Sequence, residues 1–302
     1  MTETFTTAVF AWLSVWLVLA LLLGVSWPLM RAGFTRSDPR RASALLLTWM
    51  GLPLFGSTVL TTMLYLPDLR PVVDHCHAGA CVAHGPSRGW SAWPAALLLT
   101  LIGVAGLRFA LRHYLPALRL LRTLSRLGEA RPGFTLLHDD SPAAFALGWL
   151  QPRVFVTRGL LNACSTAEVA IILRHEQAHL QRRDNLRLLL ANLFTLPLPR
   201  RWRQPLLRDH RLFCEQACDW VAADGADRAA VAETVLSVAR LQMTVPSGGA
   251  AFAGHTEQRV RSLLRDRVEP PALSLTVAPV LALALLATQA IGPMHHFLEL
   301  LR

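Results

Sequence analysis

The stretch Leu173–Leu180 reads LRHEQAHL, and three of its residues stand at a spacing that lets them do chemistry together. His175 and His179 are four positions apart, so on a helix their side chains lie one turn above the other on a single face. Neutral imidazoles so placed can hold one zinc ion through two nitrogens. Glu176, turned too far round the helix to ligate, is placed to take a proton from a water activated there. That chemistry is hydrolysis. The plainer alternative for five letters with three fixed is a solvated helix carrying two histidines and a glutamate.

A catalytic zinc takes three protein ligands and keeps one position open. Downstream, Glu215 and Asp219 in CEQACD are again four apart. Glu215 is the expected third ligand, and Asp219 on the same face is expected to accept a hydrogen bond from the outer nitrogen of a ligating histidine. Two helices, each giving an i, i+4 pair, would then grip one ion. Cys214 and Cys218 are the alternative ligands. Thiolates beside a histidine pair suit closed structural zinc, although their faces flank that of Glu215.

The elements that must position these residues are legible around them. Ser165 and Glu168 form the pattern of a capping box, and Val169, Ile171, Ile172 and Leu173 lead into the histidines, which predicts a half-buried helix. The pattern stays helical to Asp224, broken by Pro197, Pro199 and Pro205. Upstream, Phe134–His138, Ala143–Ala146 and Arg153–Thr157 are short stretches bounded by Pro132, Pro142, Gly148 and Pro152, and predict a small sheet. Zinc peptidases pair substrate backbone with an edge strand above the active helix. Arg153, Val154, Phe155 and Val156 are expected there, with a buried structural strand as the alternative. Pro116–Glu129 alternates leucine with arginine at helical spacing, giving an amphipathic helix that lies on an anionic leaflet or packs as a connector.

The chain has 302 residues, 53% hydrophobic and 17% charged. With a mean hydropathy of +0.36 it reads as a membrane protein rather than one or two soluble domains. The formal charge of +10 comes from arginine alone among the basic residues, and most of it flanks apolar spans; a nucleic-acid face is not expected. Spans are predicted at about 7–30, 43–66 and 93–114, with a fourth at about 273–291 inside a C-terminal segment 271–302. Gly51, Pro53 and Gly56 predict a bend in the second, and the first lacks the marks of a cleaved signal peptide. Arg70, Arg88 and Arg302 are the only basic residues on one set of loops, so the arginine-rich side is read as cytoplasmic. The fold class expected is a mainly α membrane protein of the bacterial inner membrane, with four transmembrane helices and a cytosolic α+β domain at 115–270. Both termini and the loop 67–92 lie outside.

That outer loop holds His75, Cys76, His77, Cys81 and His84, and the tail offers Met294, His295 and His296. A Cys76–Cys81 disulfide suits an oxidising compartment; an extracytoplasmic copper or zinc sensor is the other reading.

The ordered set PAAFALGWLQPRVFVTRGLL, LRHEQAHLQRRD, EQACD and Arg259-Val-Arg-Ser-Leu-Leu before a last apolar stretch resembles the BlaR/MecR-type antirepressor membrane metallopeptidases over nearly the whole chain. The resemblance implies a gluzincin domain in which His175, His179 and Glu215 bind one Zn2+, Glu176 is the general base and Asp219 supports a ligand. Asp184 matches the aspartate that follows the family's HExxH helix. It implies signal-controlled cleavage of a cytosolic protein, in the family typically a BlaI/MecI-like winged-helix repressor. The family's receptors continue into a penicillin-binding sensor, whereas about ten residues follow Ile291 here, so antibiotic sensing of that kind is not expected. A constitutive quality-control protease and a non-catalytic receptor are the other readings. His255, Arg259 and Arg261 are open candidates for oxyanion stabilisation, and the oligomeric state is open, a dimer included.

Overall fold

The computed structural model describes residues 2–65, 92–243 and 249–265. Two long antiparallel helices open the chain, α1 (Thr2–Arg36) and α2 (Pro39–Tyr65). Between them Asp38 accepts the Arg40 N–H at 2.8 Å, and Pro39 supplies a ready-made first helical φ, so the chain reverses within two residues. α1 extends past the expected span 7–30 at both ends and α2 starts before the expected 43–66, because polar turns continue the helix beyond the apolar stretch. α2 runs through Gly51, Pro53 and Gly56 as one element. α3 (Ala92–Phe109) passes through a π-helical turn, Ala110–Tyr114, directly into α4 (Leu115–Leu127). The third expected span and the amphipathic segment therefore form a single continuous helix.

Among the described residues, Thr7–Arg36, Pro39–Tyr65 and Ala96–Leu127 are long and apolar enough to cross a membrane. Their outward faces carry Val18, Leu22, Leu29, Phe55, Leu97, Leu101 and Leu107, an apolar surface too continuous for contact with water. The expected fourth span, and the loop with His75, Cys76, His77, Cys81 and His84, lie outside the described residues.

A four-stranded sheet follows: β1 (Glu129–Arg131), β2 (Phe134–Leu137), β3 (Ala144–Leu147) and β4 (Arg153–Thr157), in the order β1-β2-β4-β3. β4 pairs parallel with β2 and antiparallel with β3. The expectation that Arg153, Val154, Phe155 and Val156 form the substrate-facing edge is corrected here: they are interior to the sheet, with Val154, Phe155 and Val156 almost fully buried. The unbroken apolar run VFV is what a strand covered on both faces needs. The edge on this side is β3. The three-residue β1 is an addition; its polar EAR gave no strand pattern.

Helices α5 (Arg158–Ala163), α6 (Thr166–Arg182), α7 (Asp184–Phe194), α8 (Arg200–Ala223), α9 (Arg228–Met243) and α10 (Gly249–Leu263) complete the described chain. Pro197 and Pro199 lie between α7 and α8, while Pro205 sits inside α8, near its start, without ending it. Val154, Val156, Leu160 and Ile172 join the sheet to α5 and α6, and Ile171, Ala222, Val231 and Leu263 join α6 to α8, α9 and α10. A third core is shared with the long helices: Trp27, Phe34, Leu46 and Met50 interlock with Ala191, Leu198, Leu206 and Phe213. The helices that carry the LRHEQAHL and CEQACD motifs are thus fixed from both sides, by the sheet and by α1 and α2.

Candidate metal centre

α6 starts where the sequence indicated. The Ser165 hydroxyl accepts the Glu168 N–H, and the Glu168 carboxylate accepts the Ser165 N–H at 2.9 Å, which closes a capping box. Ile171, Ile172 and Ala178 bury one face, leaving His175, Glu176 and His179 on the margin of a cleft. The helix ends at Arg183, whose φ of 51° is left-handed. A non-glycine residue there is uncommon, and the turn it makes delivers Asp184 beneath His179. Asp184 Oδ2 lies 3.0 Å from His179 Nδ1.

α8 crosses this helix with Glu215 and Asp219 facing the histidines. His175 Nε2 is 3.2 Å from His179 Nε2 and 3.5 Å from Glu215 Oε2, and His179 Nε2 is 3.6 Å from Glu215 Oε1. Asp219 Oδ1 is 3.0 Å from His175 Nδ1. Each ring therefore points one nitrogen inward and has the other held by its own buried carboxylate. Two imidazole nitrogens so close together repel as lone pairs unless a proton or a metal cation lies between them. Ligands arranged tetrahedrally at 2.0–2.1 Å around zinc are about 3.3 Å apart, so this donor set fits that ion.

The three open candidates, His255, Arg259 and Arg261, differ in their surroundings. Arg259 of α10 donates to Asp219 from Nε and Nη2 at 2.8 and 2.6 Å, and its Nη1 is 3.2 Å from Glu215 Oε2. Arg261 pairs with Glu257 at the surface, away from the cleft. His255 lines the cleft, and burial lowers its pKa. Burial would push Glu215 and Asp219 up, but Arg259 first and the histidine contacts next hold both carboxyls below their ordinary values. Burial works against protonated His175, yet its bonds to Asp219 and Glu215 raise it to about 10 in the metal-free site. The desolvated Arg259 is held charged by the same two acids.

Cys214 and Cys218 do not join the inward nitrogens. Cys218 Sγ lies 3.3 Å from both His179 Nδ1 and Asp184 Oδ2, on the outer side of the ring, while Cys214 Sγ is 3.9 Å from His210 Nδ1. Burial pushes both thiols up. His179, Asp184 and Cys218 do form a second group able to hold a metal, but through the nitrogen that Asp184 already occupies.

The cleft has a volume of about 500 Å3 and is lined by both histidines, Glu176, Glu215, His255 and the edge-strand residues Ala144, Phe145 and Ala146. Asn185 went unnoticed in the sequence. Its side-chain amide donates to Ala146 O at 3.0 Å and Gly148 O at 3.1 Å, pinning the end of β3 over α6 and α7. Its position beside Asp184 was the available signal.

Comparison with known proteins points to a protein class. The model of peptidase family M48 matches residues 119–246, from α4 through the sheet, α6 and α8 to just beyond α9. A protease HtpX homolog of Acidiphilium cryptum (strain JF-5) is 38% identical over 68 residues, which are 22% of this chain and 23% of that protein. The aligned part thus spans about a quarter of that curated relative's length. No solved structure matches. The matched segment indicates a metallopeptidase, and with the long apolar helices the similarity supports a membrane metalloprotease.

Proposed function

We propose that the chain is a membrane-embedded zinc endopeptidase that cleaves a cytosolic protein in response to an extracytoplasmic or membrane signal. The observation that carries this is the convergence of His175 Nε2, His179 Nε2 and the Glu215 carboxylate within 3.2–3.6 Å, in the cleft that also holds Glu176. These three residues would hold the ion. When bound, zinc supplies Lewis acidity and makes a water nucleophilic near neutral pH.

The chain's own residues do the rest. Asp219 and Asp184 fix the tautomers of His175 and His179, so that both present Nε2 inward. Glu176 takes the proton of the attacking water and returns it to the leaving amine. β3 offers its outer edge to an extended substrate, and Asn185 holds that edge in place. His255, on the cleft wall, is the group available to the developing oxyanion, because Arg259 is committed to Asp219 and Glu215.

The substrate class follows from the likeness to the BlaR/MecR-type peptidases: a winged-helix DNA-binding repressor, cut on the arginine-rich, cytoplasmic side. Co-expressing such repressors with wild type and Glu176→Ala tests it. Fragments made only by wild type support the assignment; intact repressor in both, with another cytosolic protein cleaved, would overturn that substrate. The match to family M48 and to a protease HtpX homolog carries no signal requirement, so constitutive cleavage is the second reading. Fragment yields that do not change on altering the external medium would select it.

A further inference from the structure

The connection between α7 and α8 runs alongside the first two long helices instead of turning away from them. Phe194 meets Phe55 edge-on with ring centroids 6.1 Å apart, and a Cβ at Gly51 would stand 3.2 Å from the Phe194 ring. At Gly24 a Cβ would stand 3.0 Å from Leu198 and 3.1 Å from Trp202. The two glycines are what let the α7–α8 turn seat so closely. Farther along, Asp209 of α8 accepts from Arg31 at 2.7 and 2.9 Å and from Trp27 Nε1 at 3.0 Å.

These contacts fix a depth. Gly24 to Arg31 is seven residues and Trp202 to Asp209 is seven residues, so α1 and α8 run side by side in the same direction. At 1.5 Å per residue each advances about 10 Å between the two contacts. Arg31 is the first charged residue of α1 after Glu3, and marks where its apolar stretch ends. The start of α8 therefore lies about 10 Å beyond that mark, on the apolar side.

The composition at that level is what a lipid boundary requires. Outward-facing neighbours are Val25, Leu29, Phe55 and Leu193. Several polar groups at the turn are bonded internally: Thr195 Oγ1 donates to Ala191 O at 2.7 Å, Asn192 Nδ2 to Leu188 O at 2.7 Å, and Arg203 Nη2 to Asn192 Oδ1 at 3.0 Å, whereas Arg203 Nε has no partner among the described residues and Gln204 is exposed. Trp202, about 10 Å inside that mark, carries the Arg201 guanidinium 4.4 Å over its ring. Arg200 and Arg201 are exposed there, with stems long enough to reach back to phosphates.

We infer that the α7–α8 turn, from Phe194 to Leu207, is embedded in the same leaflet as the arginine-rich ends of α1 and α2, with Arg200 and Arg201 on anionic lipid headgroups. Glu215 is six residues beyond Asp209 on α8, so the metal centre then stands about 9 Å from the level of the Arg31–Asp209 pair, and the bonds within its reach lie close to the membrane face. The embedding rests on α1 and α2 being spans, not on the peptidase reading.

The test uses the full chain, with native cysteines replaced, in vesicles of phosphatidylcholine with and without phosphatidylglycerol. Nitroxide labels are placed at Leu193→Cys, Val25→Cys and Glu233→Cys, and their accessibility to oxygen and to a water-soluble nickel chelate is compared. Leu193 should match Val25, with an oxygen-to-nickel ratio several-fold above that of Glu233. A Leu193 label as nickel-accessible as Glu233 would overturn the inference, whether or not Val25 stays lipidic. Phosphatidylglycerol should deepen the Leu193 label, and Arg200→Glu with Arg201→Glu should abolish that shift. A shift that persists in the double variant, or no shift in wild type, would remove the headgroup contact. Peptidase activity enters none of these readings.

Discussion

Arg259 donates to both carboxylate oxygens of Asp219, at 2.8 Å from Nε and 2.6 Å from Nη2, and that same carboxylate holds His175 at Nδ1. The arginine belongs to α10, and its third contact is Glu215 on the neighbouring turn of α8. One cation thereby offsets part of the charge of buried Asp219 and part-buried Glu215 and sets the angle of a metal-facing ring.

Replacing Arg259 with Met keeps most of the stem and leaves Asp219 and Glu215 uncompensated. Breaking a buried pair in this way costs about 3–5 kcal/mol. The metal-free protein should bear most of that loss, because a bound cation takes over part of the neutralisation. Thermal unfolding with and without zinc checks this; an equal loss in both states would show that Arg259 is unrelated to the site's charge.

Asp184→Ala removes the acceptor at His179 Nδ1 while leaving both inward nitrogens in place. Zinc affinity or activity should fall 10- to 100-fold, the usual cost of losing such a support. Competition with a chromogenic chelator measures it, and wild-type affinity would exclude the positioning role.

Proton linkage follows from the elevation of His175. A histidine raised from 6.5 to about 10 stabilises the metal-free fold fully below pH 6.5 and loses that contribution as pH rises through about 10. Zinc needs the ring neutral at Nε2. Binding at pH 7 should therefore release about one proton, and affinity should rise about tenfold per pH unit between pH 6.5 and 8.5. Calorimetry in buffers of different ionisation enthalpy counts the proton; zero release would contradict the geometry at His175.

Asn185→Ala frees the end of β3 from α7. On the proposed reading β3 binds substrate and not the ion, so KM should rise several-fold with zinc content unchanged. A lower kcat at constant KM would instead place Asn185 near the reacting bond.

Much of the site was legible because its signals are local. The capping box, the i, i+4 histidines and the Glu215–Asp219 pair each depend on a single helical turn, and the structure brings them together as their spacing required. Strand order was not legible, since Arg153–Thr157 and Ala144–Leu147 are both short apolar runs and only pairing tells centre from edge. That Arg259 and not Arg261 meets Asp219 and Glu215 was not legible, because the two differ in which face of α10 they occupy, and that face is set by packing on α8. The close seating of the α7–α8 turn was likewise hidden: Gly51 read as part of a bend, and Gly24 gave no signal, until Phe194, Leu198 and Trp202 are seen against them.

The central claim is that one ion held by His175, His179 and Glu215 works with Glu176 as the base. The most direct measurement is zinc content together with cleavage of one defined protein substrate, for purified wild type, Glu176→Gln and Glu215→Ala. Wild type should carry about one zinc per chain and cleave; Glu176→Gln should keep the zinc and lose at least about 1,000-fold in kcat; Glu215→Ala should lose the metal and the activity. Cleavage by Glu176→Gln at a rate near that of wild type, with zinc bound, would contradict the account.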